Sequence, residues 1–458
     1  MLFICERYYL RFYRPIAHRL VREGFSPIWV ALDGVDVWDY DNIDPTPAIE
    51  TLVNGPHIER PDDIDALCRF ERAVFERPNL FKANYSYTIN VVRTLDRARR
   101  LAAAWYESTL ALLARFQPRA VFVWNGRYLP YSAVSAACGA AGQLLLTSEI
   151  GWIPGTVFLD RGSLSSETTD LMGRTFESTL AADTERADAF LKDYTARKAT
   201  MVSQTLASPS GVRQRLLGKD GTFLLVYGCQ VDWDTNVVIG ARRFLSNETA
   251  VSFLMECASA IAGARLVVKT HPLDSETDDD RLREILGGRG TVVSDIHPHT
   301  LIEAADCIAV RNSTLGFEAL CYEKPLILLE VAKYKHPKLT LDARSVEEGS
   351  ANLLSVSRKE CTLPDPVTLR RFVLHLLDHY LVPARYDYFF EPAKLELLSH
   401  LGHNDSYPGL LQLLRATAPP PVEPDDGALR AVGECTLSHP QKESFLSRQV
   451  RKLSDWVS

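Results

Sequence analysis

Apolar residues at positions 2–5, followed by Phe12, Ile16 and Leu20 at helical spacing, predict a short buried strand and then a helix. Pro27-Ile28-Trp29-Val30-Ala31-Leu32 predicts the next buried strand, closed by Asp33-Gly34. Residues 89–116 read as a long amphipathic helix, and Ala120–Trp124 as a strand ending at Asn125-Gly126. A small-residue helix over 133–141 leads to a strand over 143–147. Strand and helix alternate, the pattern of a parallel sheet with helices on both faces.

From 165 to 218 the chain turns polar and helical with no good strand, which reads as a connection between domains. The alternation then restarts with five short strands: Phe223–Tyr227, Leu266–Lys269, Thr291–Val293, Cys307–Val310 and Leu326–Leu329. Helical patterns follow near 366–381 and 393–415, and the first domain is a place for one of them to pack. Pro419-Pro420-Pro421, with Glu423-Pro424-Asp425-Asp426, reads as a linker. The expected fold class is α/β: two Rossmann-like, doubly wound domains facing a cleft, with C-terminal helices. The expected divisions are a first Rossmann-like domain over 1–164, a helical connection over 165–218 and a second Rossmann-like domain over 219–364. Helices over 365–417 and a Pro-rich linker and tail over 418–458 complete the chain. Ligands of open α/β sheets bind at the carboxyl ends of the strands, which places the chemistry in the cleft.

Composition narrows the classes. A chain of 458 residues with 46% hydrophobic positions can bury large cores and needs neither disulfides nor a structural metal. A net charge of −7 gives no global field to attract nucleic acid or an anionic membrane. Nine scattered cysteines without a Cys-x-x-Cys pair, several inside apolar runs (Cys5, Cys138, Cys257, Cys307), read as reduced and buried thiols. No signal-peptide pattern and no apolar run of roughly 18 residues is present, so a cytoplasmic, soluble or peripheral protein is expected.

Four constellations sit where a strand gives way to a loop. Tyr227-Gly228-Cys229-Gln230-Val231-Asp232-Trp233-Asp234 carries amide and carboxylate groups that can hold sugar hydroxyls, or can simply cap the next helix. Val267-Val268-Lys269-Thr270-His271-Pro272 brings a cation and an imidazole to a strand end. There they could bind a phosphate whose charge grows as a nucleotide leaves. Val310-Arg311-Asn312-Ser313-Thr314-Leu315-Gly316-Phe317-Glu318 offers backbone N–H groups and hydroxyls to an anion at a helix start. Glu318, one turn after Thr314, could receive ribose hydroxyls; an ordinary N-cap is the competing explanation. In the first domain, Ser148-Glu149-Ile150-Gly151-Trp152-Ile153-Pro154 is followed by Asp160. Glu149 closes a strand and could serve as general base or nucleophile, or be a solvated turn residue. Arg127 reads as a surface residue or as a contact to an anionic acceptor.

These pieces resemble the capsule polysaccharide biosynthesis family, which includes retaining β-Kdo transferases of bacterial capsule assembly. The matching pieces are Gln230-Val231-x-x-Asp234, Lys269-x-His271-Pro272 and Ser313-x-x-Gly316-Phe317-Glu318-Ala319-Leu320. Glu149-x-Gly151-x-x-Pro154 with Asp160 is similar to an acceptor-domain motif of part of the family. The match runs in order between about 120 and 330. The resemblance implies a glycosyltransferase that moves a sugar from a nucleotide donor, with CMP-Kdo as a donor, to a capsule or surface glycan or glycolipid. Glu149, Asp234 and His271 are then the catalytic candidates. Gln230, Lys269, His271, Pro272, Asn312, Ser313, Thr314, Gly316 and Glu318 bind donor, and Arg127, Trp152 and Asp160 face the acceptor. No cofactor or metal is implied. Two departures bear on the donor: Ile150 stands where some members have Asp, and Val331-Ala332-Lys333-Tyr334-Lys335-His336-Pro337 replaces a Gly-Trp-Gly-containing segment. A CDP-polyol phosphotransferase and a non-catalytic capsule assembly or export protein are the alternative readings.

Two weaker patterns remain. His375 and His379 are four apart on a helix, the spacing of metal ligands, but read as surface or packing residues without a completing set. Leu446, Val450, Leu453 and Val457 share a helical face in the tail. That face would serve a docking helix, a frayed tail or peripheral contact with the inner membrane, alongside capsule assembly proteins as partners.

Overall fold

The computed structural model describes residues 1–31, 41–43, 46–54, 63–76, 92–162, 176, 184–198, 209–232, 234–272, 277–384, 397, 399–401, 408–416 and 437–438. Of the helical pattern expected over 393–415, residues 397, 399–401 and 408–415 are described; the Pro-rich linker at 419–426 and the amphipathic tail at 446–457 lie outside the described residues.

The first sheet is built on β1 (Leu2–Cys5), β2 (Ile28–Ala31), β3 (Asp41–Ile43), β4 (Val121–Trp124) and β5 (Leu145–Ile150). These five are parallel in the order β5-β4-β1-β2-β3. Three antiparallel strands extend it: β6 (Thr156–Arg161) on β5, β13 (Leu381–Pro383) on β6, and β14 (Leu437–Ser438) on β3. The second sheet comprises β7 (Phe223–Gly228), β8 (Ala264–Lys269), β9 (Gly290–Val293), β10 (Cys307–Val310), β11 (Leu326–Leu328) and β12 (Leu341–Asp342). It is parallel throughout, in the order β12-β11-β10-β7-β8-β9. In both sheets the chain steps outward from a central strand and then reverses, the doubly wound arrangement expected. The crossovers switch direction between β1 and β4 and between β7 and β10.

The continuous apolar runs have a simple cause: the central strands β7, β8, β10 and β11 of the second sheet are covered on both faces. Phe223, Leu225 and Tyr227 of β7 pack on one side with helix Asn247–Ala258, while Leu224 and Val226 pack on the other. That other side is covered by helices Thr184–Arg197, Pro298–Ala304, Thr314–Cys321 and Pro366–His379. The polar segment before β7 therefore contributes Phe190, Leu191 and Tyr194 to the second sheet's core. After helix Pro366–His379 the chain returns to the first sheet as β13, and Leu410, Leu411 and Leu414 of helix Pro408–Ala416 join the first core.

Some strands were invisible in the sequence. β6 occupies part of the stretch read as a motif loop, and β3, β12, β13 and β14 are two or three residues long, too short for periodicity to register. Eight described cysteines form no disulfide, and seven of them are buried, including the four named above. His375 is buried near Phe176 and Tyr380, while His379 is exposed. Among the described residues no helix is long and apolar enough to cross a membrane.

Candidate active site

The carboxyl ends of both sheets meet at a cavity of about 470 Å³. Its wall contains Glu149, Trp152, Gln230, Asp234, Lys269, His271, Pro272, Asn312, Ser313, Thr314 and Glu318. Residues from Tyr9 to Lys333 thus face one space, most of them supplied by the ends of β4, β5, β7, β8 and β10.

Glu149 sits near the end of β5, its carboxylate held at both oxygens. Asn125 Nδ2 donates to Oε1 at 2.6 Å, and Lys333 Nζ donates to Oε2 at 2.6 Å. The Lys333–Glu149 ion pair is nearly enclosed, with 7% and 15% of the two side chains exposed. Each carboxylate oxygen has a second lone pair, so the group keeps acceptor capacity toward a substrate. Asn125 reaches its position because it turns the chain at φ 59°, which an Asn tolerates better than most residues. It also donates to Thr235 Oγ1 at 3.0 Å and so ties the first domain to the second.

On the other side, Arg311 is fully buried and holds the loop after β7. Its guanidinium donates to Asp232 Oδ1 at 2.6 Å, to the Gln230 carbonyl at 2.6 Å and to Asn247 Oδ1 at 3.0 Å. Asp234 caps helix Thr235–Val238 by accepting from the Asn236 N–H at 2.7 Å. Burial is the main cause that pushes its carboxyl above the usual range, reinforced by the negative charge of nearby Glu149. Lys269 donates to the Ser294 carbonyl at 2.6 Å, and burial lowers its ammonium below the ordinary lysine value. Two of its three donor hydrogens remain for a ligand.

Ser313 occupies the N-cap position of helix Thr314–Cys321, yet its hydroxyl caps nothing. The ordinary N-cap explanation therefore fails for this hydroxyl. Glu318 is 8% exposed, and burial pushes its carboxyl up to about 8. At neutral pH it is chiefly a neutral acid, able to donate as well as accept, where the sequence suggested a carboxylate that only accepts. Buried Gln230 Oε1, Asn312 Oδ1, Ser313 Oγ and Glu318 Oε2 all lack hydrogen-bond partners. Each such atom costs about 1–3 kcal/mol when left unmet, so four around one cavity describe a site shaped for a polar ligand.

Three expected residues do not line this cavity. Gly316 serves packing, since a Cβ there would collide with Tyr334, whose hydroxyl donates to the Ser313 carbonyl at 2.6 Å. Asp160 is carried away because β6 folds back along β5: Phe158 pairs with Glu149, and Asp160 with Thr147. Arg127 is buried, 7% exposed, not a surface residue; it donates to Asn236 Oδ1 at 3.1 Å. Trp152 lines the cavity, but its ring also stacks on Phe317 at 5.2 Å between centroids, joining the two halves. Sequence reasoning missed Asn125 and Lys333 as partners of Glu149. Lys333 lies in the segment noted above as a departure, and only the fold shows what that departure supplies.

The motif resemblance has a counterpart in a comparison with family models: residues 183–355 match the one described as capsule polysaccharide biosynthesis protein. That match begins after the Glu149 motif. No curated protein matches the chain. Among solved structures, two from Thermosulfurimonas dismutans KpsC are similar at 18% identity. Its beta Kdo 2,7 transferase overlaps 53% of this chain and 78% of that chain with a TM-score of 0.37. Its beta Kdo 2,4 transferase overlaps 56% and 79% with a TM-score of 0.38. A putative UDP-N-acetylglucosamine 2-epimerase from Listeria monocytogenes overlaps 87% and 94% at 12% identity and a TM-score of 0.32. The architecture itself rests on this chain's own sheet order. Residues 183–355 are thus similar to the capsule polysaccharide biosynthesis model, and the Gln230, His271 and Glu318 motifs fall within that match.

Proposed function

We propose that the protein is a nucleotide-sugar-dependent glycosyltransferase that acts on a glycan or glycolipid of a capsule or related surface polysaccharide. The observation that carries this reading is the single cavity that gathers Glu149 from one domain and Gln230, Lys269, His271, Ser313 and Glu318 from the other. The second domain takes the donor, with Lys269, His271 and the start of helix Thr314–Cys321 around the phosphate. These groups favour departure of the nucleotide, because negative charge accumulates on its phosphate as the sugar leaves. Glu149, oriented by Asn125 and Lys333, acts on the sugar or on the acceptor hydroxyl as nucleophile or base. Gln230 and Asp234 hold sugar hydroxyls. A CMP-activated ulosonic acid such as CMP-Kdo is the first donor to test.

Glu149→Gln keeps the shape and removes the basic carboxylate. Nucleotide release from a panel of donors should fall by roughly 10²–10⁴-fold, with nucleotide affinity unchanged. Turnover equal to that of the unsubstituted protein would remove Glu149 from the chemistry. Phosphate retained in the product would identify a polyol-phosphate transferase instead.

A further inference from the structure

A second cavity, of about 580 Å³, lies along helix Tyr131–Ala140 in the first domain and touches no residue of the site above. Ser132, Ser135 and Gly139 give it a floor of small residues on one helix face. Arg69, Arg127 and Arg161 line it, and among the described residues no carboxylate does. Gln143 lines it as well: it is 6% exposed, and neither its amide nitrogen nor its amide oxygen has a hydrogen-bond partner. A buried primary amide with both ends unmet is costly unless a ligand or solvent supplies a donor and an acceptor together. A sugar hydroxyl does both. Guanidinium groups in turn match carboxylate or phosphate oxygens in paired hydrogen bonds.

The groove is also placed to work with the first cavity. Asn125 lines the one, while its chain neighbours Gly126 and Arg127 line the other. From Ser132 to Gly139 the floor runs seven helical steps of 1.5 Å, about 10 Å, more than a single sugar spans.

We propose that this groove binds an anionic saccharide chain, the body of an acceptor whose reacting end enters the cavity at Glu149. Only the occupant's role as acceptor rests on the transferase reading; the recognition of an anionic sugar chain stands on the groove itself.

The test is titration calorimetry of the full chain, without nucleotide, against trigalacturonic acid, maltose 1-phosphate and neutral maltotriose. At least one anionic sugar should bind and maltotriose should not. Which one binds identifies carboxylate or phosphate as the recognised group. Arg161→Ala and, separately, Gln143→Leu should weaken that binding roughly ten-fold or more, with melting temperatures near that of the unsubstituted protein. Equal affinity for maltotriose, no binding of either anion, or undiminished binding in both folded variants would overturn the proposal. Because the titrations require neither donor nor turnover, an inactive enzyme with a working groove and an active enzyme without one give different results.

Discussion

Glu318 joins the chemistry of a single residue to the stability of the whole chain. Burial raises its folded-state value from 4.5 to about 8. The folded chain therefore holds a proton there that the unfolded chain has lost, and the linked stability is fully present below about pH 4.5. It declines as pH rises and is gone above about pH 8. Urea denaturation of Glu318→Gln should therefore show a shallower loss of stability between pH 5 and 8 than the unsubstituted protein. Identical slopes would mean that Glu318 ionises freely in the folded state. Glu71, pushed up to about 7 by burial, adds a parallel loss in both proteins and cancels in the difference. The positions of Glu149, Gln230 and His271 were legible in the sequence because polar residues at the ends of apolar strands are conspicuous, and that of Glu318 because it lies one helical turn after Thr314. Their partners were not. Lys333 lies 184 residues from Glu149, and no spacing rule reaches that far.

Among the elements, the loop between β7 and helix Thr235–Val238 depends on a side chain from another strand end. Arg311 follows β10, yet it hydrogen-bonds the carbonyl of Gln230 and the carboxylate of Asp232. Removing one partner of a buried ion pair leaves the other charge uncompensated, which typically costs about 3–5 kcal/mol. Arg311→Met should lose that much in urea denaturation and weaken nucleotide binding with it. Adding Asp232→Leu should recover part of the stability. A loss below about 1 kcal/mol in the single variant would show that the loop is held by its own capping bonds. Long apolar strands such as β7 and β10 were readable because both faces are buried. β6 was not, since Pro154-Gly155 before it reads as a turn in a loop, and its antiparallel return depends on contact with β5.

For the whole molecule, the two sheets are joined by more than the chain between them. β13 adds to the first sheet after helix Pro366–His379 has covered the second, and Leu414 fills the first core from near the far end of the sequence. Leu414→Ala should cost about 2–5 kcal/mol and lower the unfolding midpoint of the first domain, followed through the fluorescence of Trp29, Trp105 and Trp124 in its core with the other tryptophans replaced by Phe. An unchanged midpoint would mean that this helix does not contribute to that core. The doubly wound character of each half could be read from alternation alone; the return crossing could not, because β13 is three residues long. That crossing helps hold the carboxyl ends of both sheets against one cavity, on which the proposed activity depends. The most direct test is the thermal stability of the protein with CMP, CDP, UDP and GDP, repeated on His271→Ala. A ligand that binds only the folded state raises the midpoint with concentration. The donor-site account predicts selective stabilisation by one nucleotide, CMP for a Kdo-type donor, and its loss in His271→Ala. No response to any of the four, or a response that survives the substitution, would contradict it.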